Sequence, residues 1–165
     1  MALIMTPAIR FYEALCAKDY ATMAKCYADD AQFSDPIFPK LNAAQTRAMW
    51  TMLLEPAQHL ELTYEILEET EEYANVAWAA HYYFEHTGRQ VVSEVESALL
   101  FRNGKIIHHV DEFDFWAWAR QAYGFKGFLL GWAPAMRGQM QNSAAEKLSD
   151  YIKNQPRVRA AGLGF

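Results

Sequence analysis

The chain has 165 residues, 52% hydrophobic and 15% aromatic, which is enough for one well-packed core and not clearly enough for two. Fifteen Lys and Arg stand against twenty Asp and Glu, and the net charge of -5 excludes a basic footprint for nucleic acid. The first fifteen residues lack a basic flank and a long apolar run, so neither a secretory signal nor a membrane span is predicted. We therefore expect a soluble, cytoplasmic protein with a single domain over residues 1–165.

Three helices are predicted at the start of the chain. Thr6 is a plausible N-cap, and apolar residues recur after it at helical spacing. A second helix, DYATMAKCYADD, begins at the possible cap Asp19 and gives way at AQFSDP, where Pro36 forces Asp35 toward an extended conformation. Asn42 can cap a third helix, AAQTRAMWTMLLE.

After the third helix the hydrophobic period changes to two. This alternation predicts four strands, over residues 60–66, 73–85, 91–102 and 105–112. The Asn-Gly pair in FRNGK predicts a hairpin between the last two strands. An amphipathic helix is predicted for FDFWAWARQAYG, and a final helix for PAMRGQMQNSAAEKLSDYI. Between them, GFKGFLLGW is predicted to be a loop that forms a lid, forms an interface patch or packs on its own domain. Helices, then antiparallel hairpins, then helices are typical of an α+β fold.

The last predicted strand carries ionisable residues on a largely apolar face. Period two places on that face Ile107, His109, Asp111 and Phe113. The preceding strand contributes an apolar face that contains Ser97. Apolar surroundings favour the neutral form of a carboxyl group and suit it to proton transfer, so Asp111 is a candidate acid or base. Alternatively, Asp111 or Asp114 caps the helix that follows.

The other candidate residues also have two interpretations. Asp35 is either a second carboxyl group at the rim of a pocket or a turn residue before proline. His109 either assists Asp111 or is a hydrogen-bonded core histidine. His108 and His109 point to opposite faces of a regular strand and cannot chelate one ion, so no metal site is predicted. The sequence has no glycine-rich phosphate loop and no Gly-x-Ser-x-Gly elbow, and no cofactor is predicted.

Several of these segments together resemble one known family, the SnoaL-like, ketosteroid-isomerase-like branch of the nuclear transport factor 2 superfamily. The resemblance covers about residues 6–124 and is carried by IRFYEALCAKDYATMAKCYADDAQFSDP, the helix at Asn42, the four strands and KIIHHVDEFDFWAWARQAYG. It implies a cone-shaped α+β barrel of the cystatin-like type, in which a curved, mostly antiparallel sheet wraps around the N-terminal helices. Residues 125–165 would then be a loop and a C-terminal helical extension that covers the pocket mouth or packs across a dimer.

The resemblance also implies roles for single residues. The base of ketosteroid isomerase matches Asp35, whereas its oxyanion-hole tyrosine and aspartic acid match Phe11 and a position near Ser97. The catalytic aspartate of SnoaL-like polyketide cyclases and of limonene epoxide hydrolase matches Asp111. Residues 95–97 replace the Arg-x-Asp pair of the hydrolase. The resemblance therefore favours cyclase-like acid/base chemistry over steroid isomerisation or epoxide hydrolysis.

We thus expect an enzyme for isomerisation, cyclisation or hydrolysis of a small hydrophobic molecule in a deep apolar pocket. Asp111 would be the acid/base, His109 would orient or polarise, and Asp35 would be a second proton-handling group. The residues expected to line the pocket are Phe11, Phe33, Trp50, Ser97 and Phe113. The alternative is a non-catalytic ligand-binding or dimeric interaction module. The expected partners are a small hydrophobic ligand and a second copy in a homodimer, with neither nucleic acid nor a membrane.

Overall fold

The computed structural model describes residues 4–57, 59–130 and 132–156. The first part of the chain forms α1 (Pro7–Cys16), α2 (Tyr20–Cys26), β1 (Tyr27–Ser34), β2 (Leu41–Asn42) and α3 (Ala43–Leu54). Four longer strands follow, β3 (Glu61–Glu69), β4 (Tyr73–Tyr83), β5 (Gln90–Arg102) and β6 (Lys105–Glu112). The last elements are α4 (Phe115–Tyr123), α5 (Phe125–Leu130) and α6 (Pro134–Asn154). This order confirms the predicted α+β class.

The six strands form one curved, open sheet in the order β2-β1-β6-β5-β4-β3. All neighbouring strands are antiparallel except β1 and β6, which run parallel. This parallel pairing places Phe33 of β1 opposite His109 of β6. On the other side of β6, Asp111 lies opposite Ser97 of β5. The sheet therefore brings the DP segment after β1 next to the His-x-Asp strand.

The helix caps lie where the sequence predicts them. Asn42 and Gln45 form a capping box at the start of α3, because each side chain accepts a hydrogen bond from the other residue's backbone N–H. The carboxylate of Asp114 accepts a hydrogen bond from the backbone N–H of Ala117 at 3.0 Å and caps α4. Asp114 is thus the residue that caps α4, and Asp111 does not cap it.

Two segments differ from the predictions. The strand β1 already begins at Tyr27, so α2 is only seven residues long and the residues YADD belong to the sheet. The segment GFKGFLLGW is not a loop throughout, because Phe125–Leu130 form α5, which packs on α4. In both places tertiary contacts decide the local structure, which residue patterns over a few positions do not encode.

The packing of α5 on α4 depends on Gly127. A Cβ atom at this position would lie 1.9 Å from the backbone oxygen of Ala119. We expect Gly127→Ala to destabilise the protein by about 1–3 kcal/mol, the usual cost of overpacking, in urea unfolding. Gly138→Ala in α6 is the matched control, since its new Cβ would meet no atom within 4 Å, and it should stabilise by up to about 1 kcal/mol. Equal effects of the two substitutions would contradict this account of the packing.

The core lies between the helices α1–α3 and one face of the sheet. Its largest buried side chains are aromatic and include Phe11, Tyr12, Tyr27 and Phe33. A smaller cluster around Phe115 joins α4 to β5. Across the described ranges, none of the helices is both long and apolar enough to cross a bilayer.

Candidate active site

A cavity of about 680 Å³ opens where the two hydrophobic clusters meet, and its size is typical of small-molecule sites. Its wall is mainly apolar. Three of the residues predicted to line a pocket contribute to it, namely Phe33, Trp50 and Phe113. The two predicted carboxyl groups, Asp35 and Asp111, also line it. The structure therefore brings both acids to one apolar cavity.

Two of the predicted lining residues do not reach the cavity surface, and this part of the prediction is corrected. Phe11 is fully buried, and its ring packs edge-on against four aromatic rings, those of Tyr12, Tyr27, Trp50 and His109. Ser97 is 3% exposed and lies behind Asp111. His109 is also fully buried. These residues form a second layer behind the cavity wall.

Asp111 is held at the inner wall by hydrogen bonds to one of its two oxygens. Its Oδ1 accepts a hydrogen bond from the Ser97 hydroxyl and lies 2.8 Å from His109 Nε2. Trp78 Nε1 donates to Ser97 Oγ at 2.9 Å, so the hydroxyl proton of Ser97 is left for Asp111. Since both bonds end on Oδ1, Oδ2 is the oxygen available to a ligand.

An irregularity in β6 shapes the face that carries these residues. Leu100 pairs with His108 and Phe101 pairs with Ile106, so Ile107 is the extra residue of a bulge. Ile106 is therefore fully buried, and Ile107, which the period of two placed on the inner face, is only partly buried. Beyond the bulge the alternation resumes, and His109 and Asp111 share the buried face as predicted.

Asp35 has a turn role and also lies in the cavity. Its Oδ1 accepts hydrogen bonds from the backbone N–H groups of Ile37 at 2.6 Å and Phe38 at 2.5 Å. Burial raises the pKa of Asp35 to about 6; the backbone hydrogen bonds from Phe38 and Ile37 oppose this shift, and the charge of Asp111 adds to it. The two interpretations of Asp35 are therefore compatible, and the carboxyl group titrates near neutral pH.

Tyr27 is a further residue of the site, and the sequence pattern did not indicate it. Its hydroxyl lies 2.8 Å from His109 Nδ1 and accepts a hydrogen bond from Trp50 Nε1 at 2.9 Å. The prediction placed Tyr27 in a helix, and Asp29 breaks the period-two pattern that could have shown it to be the first inward residue of β1. Only the pairing of β1 with β6 brings Tyr27 to His109.

Tyr12 is a second residue that the sequence analysis did not select. Its hydroxyl is buried and has no hydrogen-bond partner in the described part of the chain. Burial raises the pKa of the Tyr12 hydroxyl well above its usual value. The charge of Asp111 raises this pKa further, and the nearby Ser97 hydroxyl lowers it. The α1 residue with a hydroxyl group close enough to Asp111 to be affected by its charge is therefore Tyr12, and not the position of Phe11 next to it.

The helix α6 contributes to the cavity wall through Met140, Ala144 and Lys147. It is tied to the segment after β1, since Gln141 Nε2 donates a hydrogen bond to the Pro36 carbonyl oxygen at 3.0 Å. The C-terminal extension thus covers part of the cavity, one of the two arrangements expected for it. Nowhere in the ranges that the structure describes do three His, Cys, Asp or Glu side chains form a group able to hold a metal ion.

Comparison with known proteins identifies the family. The family model of the SnoaL-like domain matches residues 8–109, which is well over half of the chain. The chain belongs to the SnoaL-like domain family. No curated protein matches it.

Solved structures support the fold of this SnoaL-like domain. A putative polyketide cyclase from Pseudomonas putida has a TM-score of 0.62 at 15% identity, over 72% of this chain and 98% of that chain. A putative polyketide cyclase from Xanthomonas campestris has a TM-score of 0.61 at 16% identity, over 70% of this chain and 93% of the other. A hypothetical protein with a ketosteroid isomerase-like fold from Catenulispora acidiphila, in complex with trimethylamine, has a TM-score of 0.61 at 10% identity, over 72% and 94%. At these identities the likeness establishes the expected cone-shaped fold alone.

Proposed function

We propose that this SnoaL-like domain is an enzyme that transfers a proton within a small hydrophobic molecule, as in isomerisation or cyclisation. The observation that carries the proposal is the pair of carboxyl groups, Asp35 and Asp111, at one apolar cavity. In each of them the hydrogen bonds to described residues end on Oδ1, which leaves Oδ2 for the ligand. A positioned group of this kind within hydrogen-bond reach of the reacting atom is what general acid–base catalysis needs.

The different surroundings of the two carboxyl groups suggest different roles. Asp111 is assigned as the base because the hydrogen bonds from Ser97 and His109 hold its Oδ1 and leave Oδ2 for the ligand. Asp35, with a pKa of about 6, can carry a proton near neutral pH and is assigned as the acid. In the proposed step, Asp111 Oδ2 removes a proton from a carbon next to a carbonyl group. Asp35 then gives its proton to the enolate at another atom, and exchange with solvent removes the proton from Asp111 and restores the one on Asp35 before the next turnover.

The charges around the cavity disfavour an anionic substrate. Among the lining residues described, the only Lys or Arg is Lys147, which lies on α6, is exposed and has Glu85 3.9 Å away. The part of the cavity beside Asp35 and Asp111 therefore offers no Lys or Arg to pair with a carboxylate or phosphate group of a substrate. The mainly apolar wall suits a hydrophobic carbonyl compound, and the likeness to putative polyketide cyclases supports the same class.

A solvent-exchange experiment tests the proposal without knowledge of the natural substrate. Hydrophobic ketones that bind the protein would be incubated with it in D2O and examined by mass spectrometry. We expect deuterium at the carbon next to the carbonyl group, at a rate far above that of the buffer alone. Ligands that bind and return unchanged and without deuterium would contradict an enzyme.

That second outcome would favour a non-catalytic ligand-binding module. One observation supports this second candidate: the resemblance places the two oxyanion donors of ketosteroid isomerase at Phe11 and near Ser97, and neither residue lines the cavity. An enolate would then lack the donors that usually stabilise its charge. If the domain is an enzyme, protonated Asp35 would take the place of these two donors.

We also infer a homodimer through α5 and the turn after it. This segment exposes about half or more of each of five large apolar side chains, those of Phe125, Phe128, Leu129, Leu130 and Trp132. Contiguous exposed apolar surface of this kind usually marks a contact site. In sedimentation velocity we expect a dimer for the unmodified chain and a monomer for Leu130→Lys. Leu67→Lys, at a similarly exposed leucine of β3, is the control and should remain dimeric.

A further inference from the structure

A chain of hydrogen bonds runs behind the cavity wall from Trp50 to Asp111. Trp50 Nε1 lies 2.9 Å from the Tyr27 hydroxyl, which lies 2.8 Å from His109 Nδ1. His109 Nε2 lies 2.8 Å from Asp111 Oδ1. Tyr27 is 1% and His109 0% exposed. Bulk water therefore does not reach these two groups. Each N–H or O–H proton on Trp50, Tyr27 and His109 needs an acceptor among the groups linked by these hydrogen bonds.

The direction of the hydrogen bonds follows from the donors available. The indole N–H of Trp50 can only donate, so the Tyr27 oxygen accepts from it. Tyr27 has one proton to donate, and the acceptor in reach among the described residues is His109 Nδ1. Nδ1 must then be free of a proton. The proton of a neutral His109 is therefore on Nε2, where it is donated to Asp111.

A doubly protonated His109 does not fit this arrangement. Its Nδ1–H would point at the Tyr27 oxygen, and the proton of Tyr27 would lose its acceptor. A buried donor without a partner is costly. The ionisable groups that face the imidazole are Asp111 on β6, Tyr27 on β1 and Asp35 after β1, and α3 contributes the neutral indole of Trp50. A neutral imidazole beside the carboxylate leaves the His109–Asp111 pair with a net charge of about -1.

We propose that Tyr27 is a positioning residue, held by Trp50, that keeps His109 neutral with its proton on Nε2. Asp111 is then oriented through Oδ1 and keeps its negative charge toward the cavity, because no imidazolium neutralises it. The importance of that charge for catalysis rests on the proposed function. The protonation state of His109 does not, since it is set in the free protein.

Nitrogen-15 NMR of the histidine rings tests this proposal in the free protein. Near neutral pH we expect His109 to show a protonated, pyrrole-type Nε2 and an unprotonated, pyridine-type Nδ1. The signals would be assigned by their loss in a His109→Asn variant. An imidazolium at neutral pH, or a proton on Nδ1, would overturn the proposal. This measurement needs no substrate, so a failed turnover assay would not affect it.

The variant Tyr27→Phe tests the role of the hydroxyl. It removes the hydrogen bond that Nδ1 accepts from the hydroxyl, so the Nδ1 signal of His109 should move toward that of a pyridine-type nitrogen without a hydrogen bond. Tyr82→Phe is the matched control, since Tyr82 also accepts a hydrogen bond from an indole, that of Trp118 at 2.8 Å, and lines the same cavity. Its His109 signals should equal those of the unmodified protein. An unchanged Nδ1 signal in Tyr27→Phe would overturn the proposal, and if that variant does not fold, the spectrum of the unmodified protein decides.

Discussion

Asp111→Asn is expected to lower the turnover of a substrate found by solvent exchange by about 10²–10⁴-fold, the usual contribution of a positioned acid or base. The amide retains a carbonyl oxygen that can accept the hydrogen bonds from Ser97 and His109 at the position of Oδ1. An NH2 group that cannot take up a proton replaces Oδ2. The variant should therefore fold and bind the substrate with nearly unchanged affinity while its turnover falls.

Asp114→Asn is the matched control for this experiment. Asp114 lies three residues away, is exposed and caps α4, and asparagine caps helices as well as aspartate does. We expect its turnover to remain at the level of the unmodified protein. Full turnover in Asp111→Asn would show that Asp111 is not the base. A similar loss in both variants would mean that the connection from β6 to α4 had been disturbed, and not the chemistry.

Asp35→Asn is expected to make the protein more stable at pH 8 and to leave its stability almost unchanged at pH 4. The pKa of this carboxyl group is about 6 in the folded chain, against an ordinary value of 3.8. Because the folded value is raised, the group contributes its full stability below the ordinary value, and this is lost as the pH rises through about 6. At 1.36 kcal/mol per unit the difference corresponds to about 3 kcal/mol. Asparagine keeps the acceptor for Ile37 and Phe38 and cannot ionise.

Urea unfolding between pH 4 and pH 8 measures this effect. Asp19→Asn is the control of opposite sign, since Asp19 caps α2 and the hydrogen bonds from Thr22 lower its pKa. That control should lose stability relative to the unmodified protein at pH 8. If Asp35→Asn followed the same pH dependence as the unmodified chain, Asp35 would not be the buried acid described above. A variant that is more stable and less active would show that the carboxyl group is retained for chemistry at a cost in stability.

Features that depend on residues close together in the chain could be predicted from the sequence. The caps Asn42 and Asp114 mark helix starts because their side chains bond to backbone groups three residues later. The Asn-Gly pair before Lys105 determines the hairpin between β5 and β6, since these residues suit its tight turn. The alternation of side chains along β6 places His109 and Asp111 on one face. The α+β class and the presence of the His-x-Asp face could therefore be predicted.

The surroundings of Asp111, in contrast, depend on contacts between residues that are distant in the chain. Tyr27 and His109 are 82 residues apart and meet because β1 pairs in parallel with β6. The bulge at Ile107 makes Ile106, and not Ile107, the inward residue, and it depends on the register between β5 and β6. Phe11, expected in the pocket, is buried behind Trp50 because α1 packs in a second layer. The physical reason is common to all three: register and layer packing join residues that are distant in the chain, and the local patterns of a sequence do not contain that information.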